Sequence, residues 1–163
     1  MSSDSAPAGS PKLSALYDGW GAYQRLLLEA VVPLTPDQLA LRAAPGLRSA
    51  GEIAGHIISA RVVWFHEVMG EGHESLAHMR AWDQPGAPVL NAAELEMGFE
   101  HTWSVIADAL DRWTTDDLSA EFERRGERLS RQEIIWHVLE HDLHHGGEIS
   151  LTLDIRGLRA PDM

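Results

Sequence analysis

Apolar residues recur at steps of three and four along most of this 163-residue chain, the spacing that gathers them on one face of a helix. Leu13, Leu16, Trp20, Tyr23, Leu27 and Val31 form a first stripe, which predicts a helix over 12–32 that Pro33 stops. Ile53, Ile57, Ala60 and Trp64 predict a second over 50–69, with Gly70 near its end. Leu95, Phe99, Trp103, Ile106 and Leu110 predict a third over 92–113, and a fourth runs from 131 to at least 153. Cap residues followed three positions later by Glu or Gln mark the helix starts. The pairs are Thr35 with Gln38, Ser49 with Glu52, Asn91 with Glu94 and Ser130 with Glu133. Pro36 directly after Thr35 announces one short extra helical turn at 35–40. No run alternates strictly between apolar and polar, so strands are not expected. "ERRGER" (123–128) reads as a solvated turn.

The longest link, residues 71–90, is rich in Gly and Pro near its end; connections of that length are functional or flexible. The chain therefore reads as all-α: a single four-helix bundle over 12–158, with a long connection between its second and third helices. Ser, Ala, Pro and Gly over 1–11 suggest a disordered lead-in, and 159–163 a short tail.

Charge and composition narrow the partners. The chain carries 25 acidic against 13 basic residues, a net charge of −12, with no Lys/Arg cluster to displace counterions from a nucleic acid. It has no cysteine, which excludes disulfides, thiolate ligands and a cysteine nucleophile and fits a reducing cytosol. The N-terminus lacks a basic stretch leading into an apolar core, and "LLLEAVV" (26–32) is too short and too charged to span a bilayer. A cytoplasmic protein with no membrane partner is the expectation.

The candidate chemistry lies in "WHVLEHDLHHGGEIS" (136–150), where His137, His141, His144 and His145 crowd one helix. Ile134, Val138, His141, His145, Ile149 and Thr152 share its inward stripe, so two imidazoles stand where an apolar residue would be easier. An i, i+4 pair points both rings the same way, within reach of one ion at about 2.0–2.1 Å. Taken alone, the pair is explained as readily by half-buried histidines bonded to carbonyls. Two buried imidazoles side by side nevertheless cost stability unless each finds a partner. His56, in "GEIAGHIISAR" among small residues on the inward stripe of the second helix, is the candidate third ligand. His137 and His144 stay open as substitutes. His66, His73, His78 and His101 read as surface or rim residues.

"GEIAGHI" followed late in the chain by "HVLEHDLHHGGEI", at this length and order, resembles the DinB-like (YfiT-type) metal-binding superfamily of four-helix bundles. The resemblance covers nearly the whole chain from about residue 13. It implies a metal triad of His56, His141 and His145. Where the family motif continues with Arg, Gly and Gln, this chain has Gly146, Gly147 and Glu148.

Three neutral histidines leave a divalent ion with open positions, as in catalytic zinc sites; nickel, iron and manganese also accept imidazole. Such an ion lowers the pKa of a bound water or thiol. The resemblance implies a thiol-dependent transferase or isomerase using a low-molecular-weight thiol such as bacillithiol or mycothiol, and hydrolysis of a small-molecule substrate is an equal route. Glu148 is the candidate catalytic base, or else it orients an imidazole N–H. The alternative is a non-enzymatic, stress-related bundle with a structural metal. Ile135, Trp136, Leu139 and Leu143 lie outside the inward stripe and point to a homodimer.

Overall fold

A computed structural model describes residues 10–161. Most of the lead-in expected over 1–11, and the last two residues of the tail, lie outside the described residues. The helices are α1 (Asp18–Val31), α2 (Pro36–Leu39), α3 (Ala50–Arg61), α4 (Ala92–Arg112) and α5 (Arg131–Asp154). Every cap pair expected at a helix start forms both halves of its box. At α3, Glu52 N–H donates to Ser49 Oγ at 3.2 Å, and Ser49 N–H donates to the Glu52 carboxylate at 2.7 Å. Two of the orphan N–H groups of the helix end are satisfied this way.

The helices depart from the sequence reading in four respects. The first helix starts late, because Leu13 N–H donates to Trp113 O at 2.9 Å and holds residues 13–15 in a 3₁₀ turn. Leu16 is thereby turned out of the stripe and is 61% exposed. The second helical rod changes geometry at Val62–Val68, which form a π-helix. The 71–90 link is not irregular throughout: Glu74–Asp83 form a 3₁₀ helix that buries Leu76, Met79 and Trp82. Ser59 Oγ–H on α3 pins it by donating to Arg80 O at 2.9 Å.

The all-α expectation also misses a hairpin. β1 (Glu121–Arg124) and β2 (Glu127–Ser130) pair antiparallel around the turn at Arg125 and Gly126. Their φ values of 54° and 83° are the positive angles that a tight two-residue hairpin turn demands. Four-residue strands that are half exposed carry too little alternation to be seen in sequence.

Two apolar clusters form the core. One centres on Leu27, Ile53, Ile57, Ile58, Leu95 and Phe99; the other gathers Leu13, Trp20, Phe65, Ile106, Ile134 and Val138. A buried polar network joins them. The guanidinium of Arg61, on α3, donates through Nη2 to Asp142 Oδ2 on α5 at 2.7 Å, with both side chains fully buried. Trp20 Nε1–H donates to the same oxygen at 2.7 Å, and Arg61 Nη1–H to Gln24 Oε1 at 2.8 Å. Arg61 also lies over the Phe99 ring, so one ion pair fixes α1, α3 and α5 against each other beside α4. Among the described residues no helix is long and apolar enough to cross a membrane.

Candidate metal centre

The α3 and α5 helices bring His56, His141 and His145 together. His56 Nε2 lies 3.0 Å from His141 Nε2 and 3.1 Å from His145 Nε2, about the spacing of ligand atoms that share one ion at ~2.1 Å. All three rings are half-buried, and one ligand atom from each lies within 4.8 Å of the others. His141 and His145 succeed each other by one turn on α5, while His56 enters from α3, where Gly55 and Ala54 are buried beside it.

Each ring's second nitrogen decides what its first can do. His56 Nδ1–H donates to Asp83 Oδ2 at 2.7 Å, and His145 Nδ1–H to Glu148 Oε2 at 2.7 Å. With those protons on Nδ1, both Nε2 atoms carry lone pairs and face each other at 3.1 Å. Two acceptors so close repel unless a proton or a cation lies between them. Extra protons are resisted here. Burial pushes His56 below its ordinary pKa against the pull of Asp83, and burial among three other imidazoles and His56 takes His141 down to about 3. The donor set therefore fits a divalent cation, with carboxylates orienting two of its three ligands. His141 Nδ1 is buried with no hydrogen-bond partner among the described residues.

The other histidines take different places. His137 is exposed, stacked edge-on against Trp64 with ring centroids 4.8 Å apart, and its ring lies 6.1 Å from that of His141. His144 is exposed and, with His145 and Glu148, forms a second group close enough for an ion. That group draws on the same His145, and its remaining members are solvated, so the half-buried triad is the better site. His66 is half-buried and its ring donates to Glu71 O at 2.9 Å.

Three features escaped sequence reasoning. Asp83 sits in the long link, and only the 3₁₀ helix ending there delivers it to His56. Asp142, next to His141 in sequence, turns away from the triad and into the ion pair with Arg61. The glycine after the last histidine has a packing reason: a Cβ on Gly146 would fall on the Tyr23 hydroxyl, whereas one on Gly147 would meet nothing. Tyr23, on α1, thus stands against the turn that carries His145; burial raises its pKa.

The model of the DinB superfamily matches residues 21–149, most of the chain and both halves of the triad. The chain belongs to the DinB superfamily. Its structure is similar to that of a DinB-like protein from Bacillus cereus ATCC 10987, with a TM-score of 0.74 and 21% identity, over 93% of this chain and 97% of that one. At that identity the likeness is one of fold. No curated protein matches the chain in sequence. Within the DinB fold, a mainly helical frame with one small hairpin, the triad is a group of histidines able to hold a metal ion.

Proposed function

We propose that this DinB chain is a four-helix bundle, built from α1, the α3 rod, α4 and α5, that binds one divalent ion through His56, His141 and His145. In this reading it acts as a metal-dependent enzyme on a small molecule. The observation that carries the reading is the meeting of Nε2 lone pairs from two helices, two of them fixed by Nδ1–H bonds to Asp83 and Glu148. Imidazole donors suit zinc first, with nickel, iron and manganese as alternatives. Such an ion, held by three neutral ligands, acidifies a water or thiol that enters its open positions. A thiol would come from a low-molecular-weight donor, since the chain has no cysteine; transfer of a thiol and hydrolysis are both compatible with the site. Glu148, bonded to His145, orients that ring rather than serving as the base. Metal content of purified protein tests the assignment: one ion per chain in the wild type and a loss in His141→Ala are expected, and equal occupancy in both would overturn it.

A second reading, a non-enzymatic protein that assembles with its own copy, has one observation in its favour. Of the residues expected at a dimer surface, Ile135 and Leu139 pack into the core instead, but Trp136 and Leu143, with Leu151, are 62%, 42% and 58% exposed, an apolar surface that a homodimer would cover. Sedimentation of wild type against Trp136→Glu decides it, with a dimer in the first and a monomer in the second. Chelation separates the two roles of the ion, because a structural ion leaves with the fold and a catalytic one leaves the fold intact.

A further inference from the structure

A cleft of about 680 Å³ does not open on the triad. It lies between α2, the first turn of α3 and residues 82–91, and Asp83 is the wall between cleft and triad. Small residues on α3 let the segments around it come close. A Cβ on Gly51 would press on Leu39 O at 3.3 Å, and one on Gly55 on Leu90 Cδ1 at 3.1 Å and Trp82 O at 3.4 Å. The flanking segments therefore close on α3, and the cleft lies between them. Its volume is that of an ordinary small-molecule site, roughly 300–1,000 Å³.

Several donors around this space are already committed. Glu52 and Glu94 N–H groups, which face the starts of α3 and α4, are taken by Ser49 and Asn91. Arg42 spends both Nη atoms on Glu52, at 2.6 and 2.8 Å, and also donates to Leu47 O. Arg48 differs: Nη2 donates to Asp83 Oδ1 at 2.9 Å, and neither Nε nor Nη1 bonds anything among the described residues. Its side chain is 46% exposed at the cleft. One free guanidinium edge beside apolar walls, with Glu52 and Asp83 already in the lining, matches a single negative charge and repels a doubly charged one.

We propose that the cleft binds a small amphipathic monocarboxylate, its apolar body against Trp82, Pro85 and Leu90 and its carboxylate on the free edge of Arg48. The proposal calls on no ion at the triad, so the test uses chelated full-length protein. Calorimetric titration with octanoate, octanamide and inorganic phosphate gives the comparison, and the Trp82 indole N–H resonance locates the event. Octanoate is expected to saturate at one per chain and shift that resonance. Octanamide should bind roughly tenfold or more weakly, the loss expected for a charge-assisted pair. Arg48→Gln, checked for an unchanged circular dichroism spectrum, should bind both alike. Absence of saturable octanoate binding, a Trp82 resonance that does not move, phosphate binding as tightly as octanoate, or an undiminished carboxylate preference in Arg48→Gln would each overturn the proposal. Leu90→Asn supplies a second, uncharged variant that should abolish octanoate binding through the apolar wall alone.

Discussion

His56 Nδ1–H donates to Asp83 Oδ2 over 2.7 Å, joining the inward face of α3 to the end of the 3₁₀ helix in the long link. Asp83 holds Arg48 on its other oxygen at 2.9 Å, so its carboxylate is positioned from both sides. A ring fixed in this way presents Nε2 in one orientation and one tautomer.

Removing that acceptor should loosen the ion without unfolding the chain. Asp83→Ala is expected to weaken metal affinity by roughly 10–100-fold, the usual cost of losing an orienting carboxylate. Competition against a chelator measures it. Unchanged affinity would mean that α3 packing alone aims His56.

The Arg61–Asp142 pair should behave as a structural lock. Arg61→Ala leaves a carboxylate in a fully buried position and should cost about 3–5 kcal/mol in a denaturant titration. The double variant Arg61→Met with Asp142→Leu removes both charges and should be more stable than Arg61→Ala. If the double variant were the less stable one, the network would contribute more than charge compensation.

The neighbouring glycines of α5 should respond with opposite signs. Gly146→Ala drives a methyl onto the Tyr23 hydroxyl and is expected to destabilise by about 1–3 kcal/mol. Gly147→Ala meets open space and should stabilise by about 0.5–1 kcal/mol through helix propensity. Melting temperatures moving the same way in both would remove the close approach of Tyr23 as the reason for Gly146.

Acid should weaken the start of α3. The hydrogen bonds from Arg42, and then from Ser49 N–H, hold the Glu52 carboxyl below its ordinary value of 4.5 despite partial burial. A lowered folded pKa means that its stabilisation is present above 4.5 and fades as the pH falls through the folded value. Glu52→Gln should cost about 0.5–1 kcal/mol at neutral pH, since the pair is half exposed. Its deficit should shrink on acidification, read as converging melting curves. Parallel curves down to acid pH would exclude Glu52 as a contributor.

What could be read from the chain was local. The cap pairs at Thr35, Ser49, Asn91 and Ser130 announce helix starts within three residues of themselves, and each starts a helix in the structure. The wheel of α5 likewise places His141 and His145 on one face, because their geometry depends on a single helix. What could not be read depends on segments distant in sequence. Asp83 reaches His56 only after the link folds on α3, and Asp142 finds Arg61 only across the core. Leu16 keeps helical spacing with Trp20, yet the bond from Leu13 to Trp113 turns it outward. The hairpin is set by two left-handed residues, Arg125 and Gly126, rather than by an apolar pattern.

The wide turns of Val62–Val68 set the phase of everything after them on the α3 rod. Each holds more residues than an α-turn, so the geometry is that left by a residue inserted into a regular helix. Deleting one residue there would rotate Phe65 away from Trp20 and Trp113, whose rings lie 6.3 and 6.1 Å from it, while His56 kept its bearing two turns upstream. The aromatic end of this rod can thus be retuned by insertion or deletion without disturbing the imidazole at its other end.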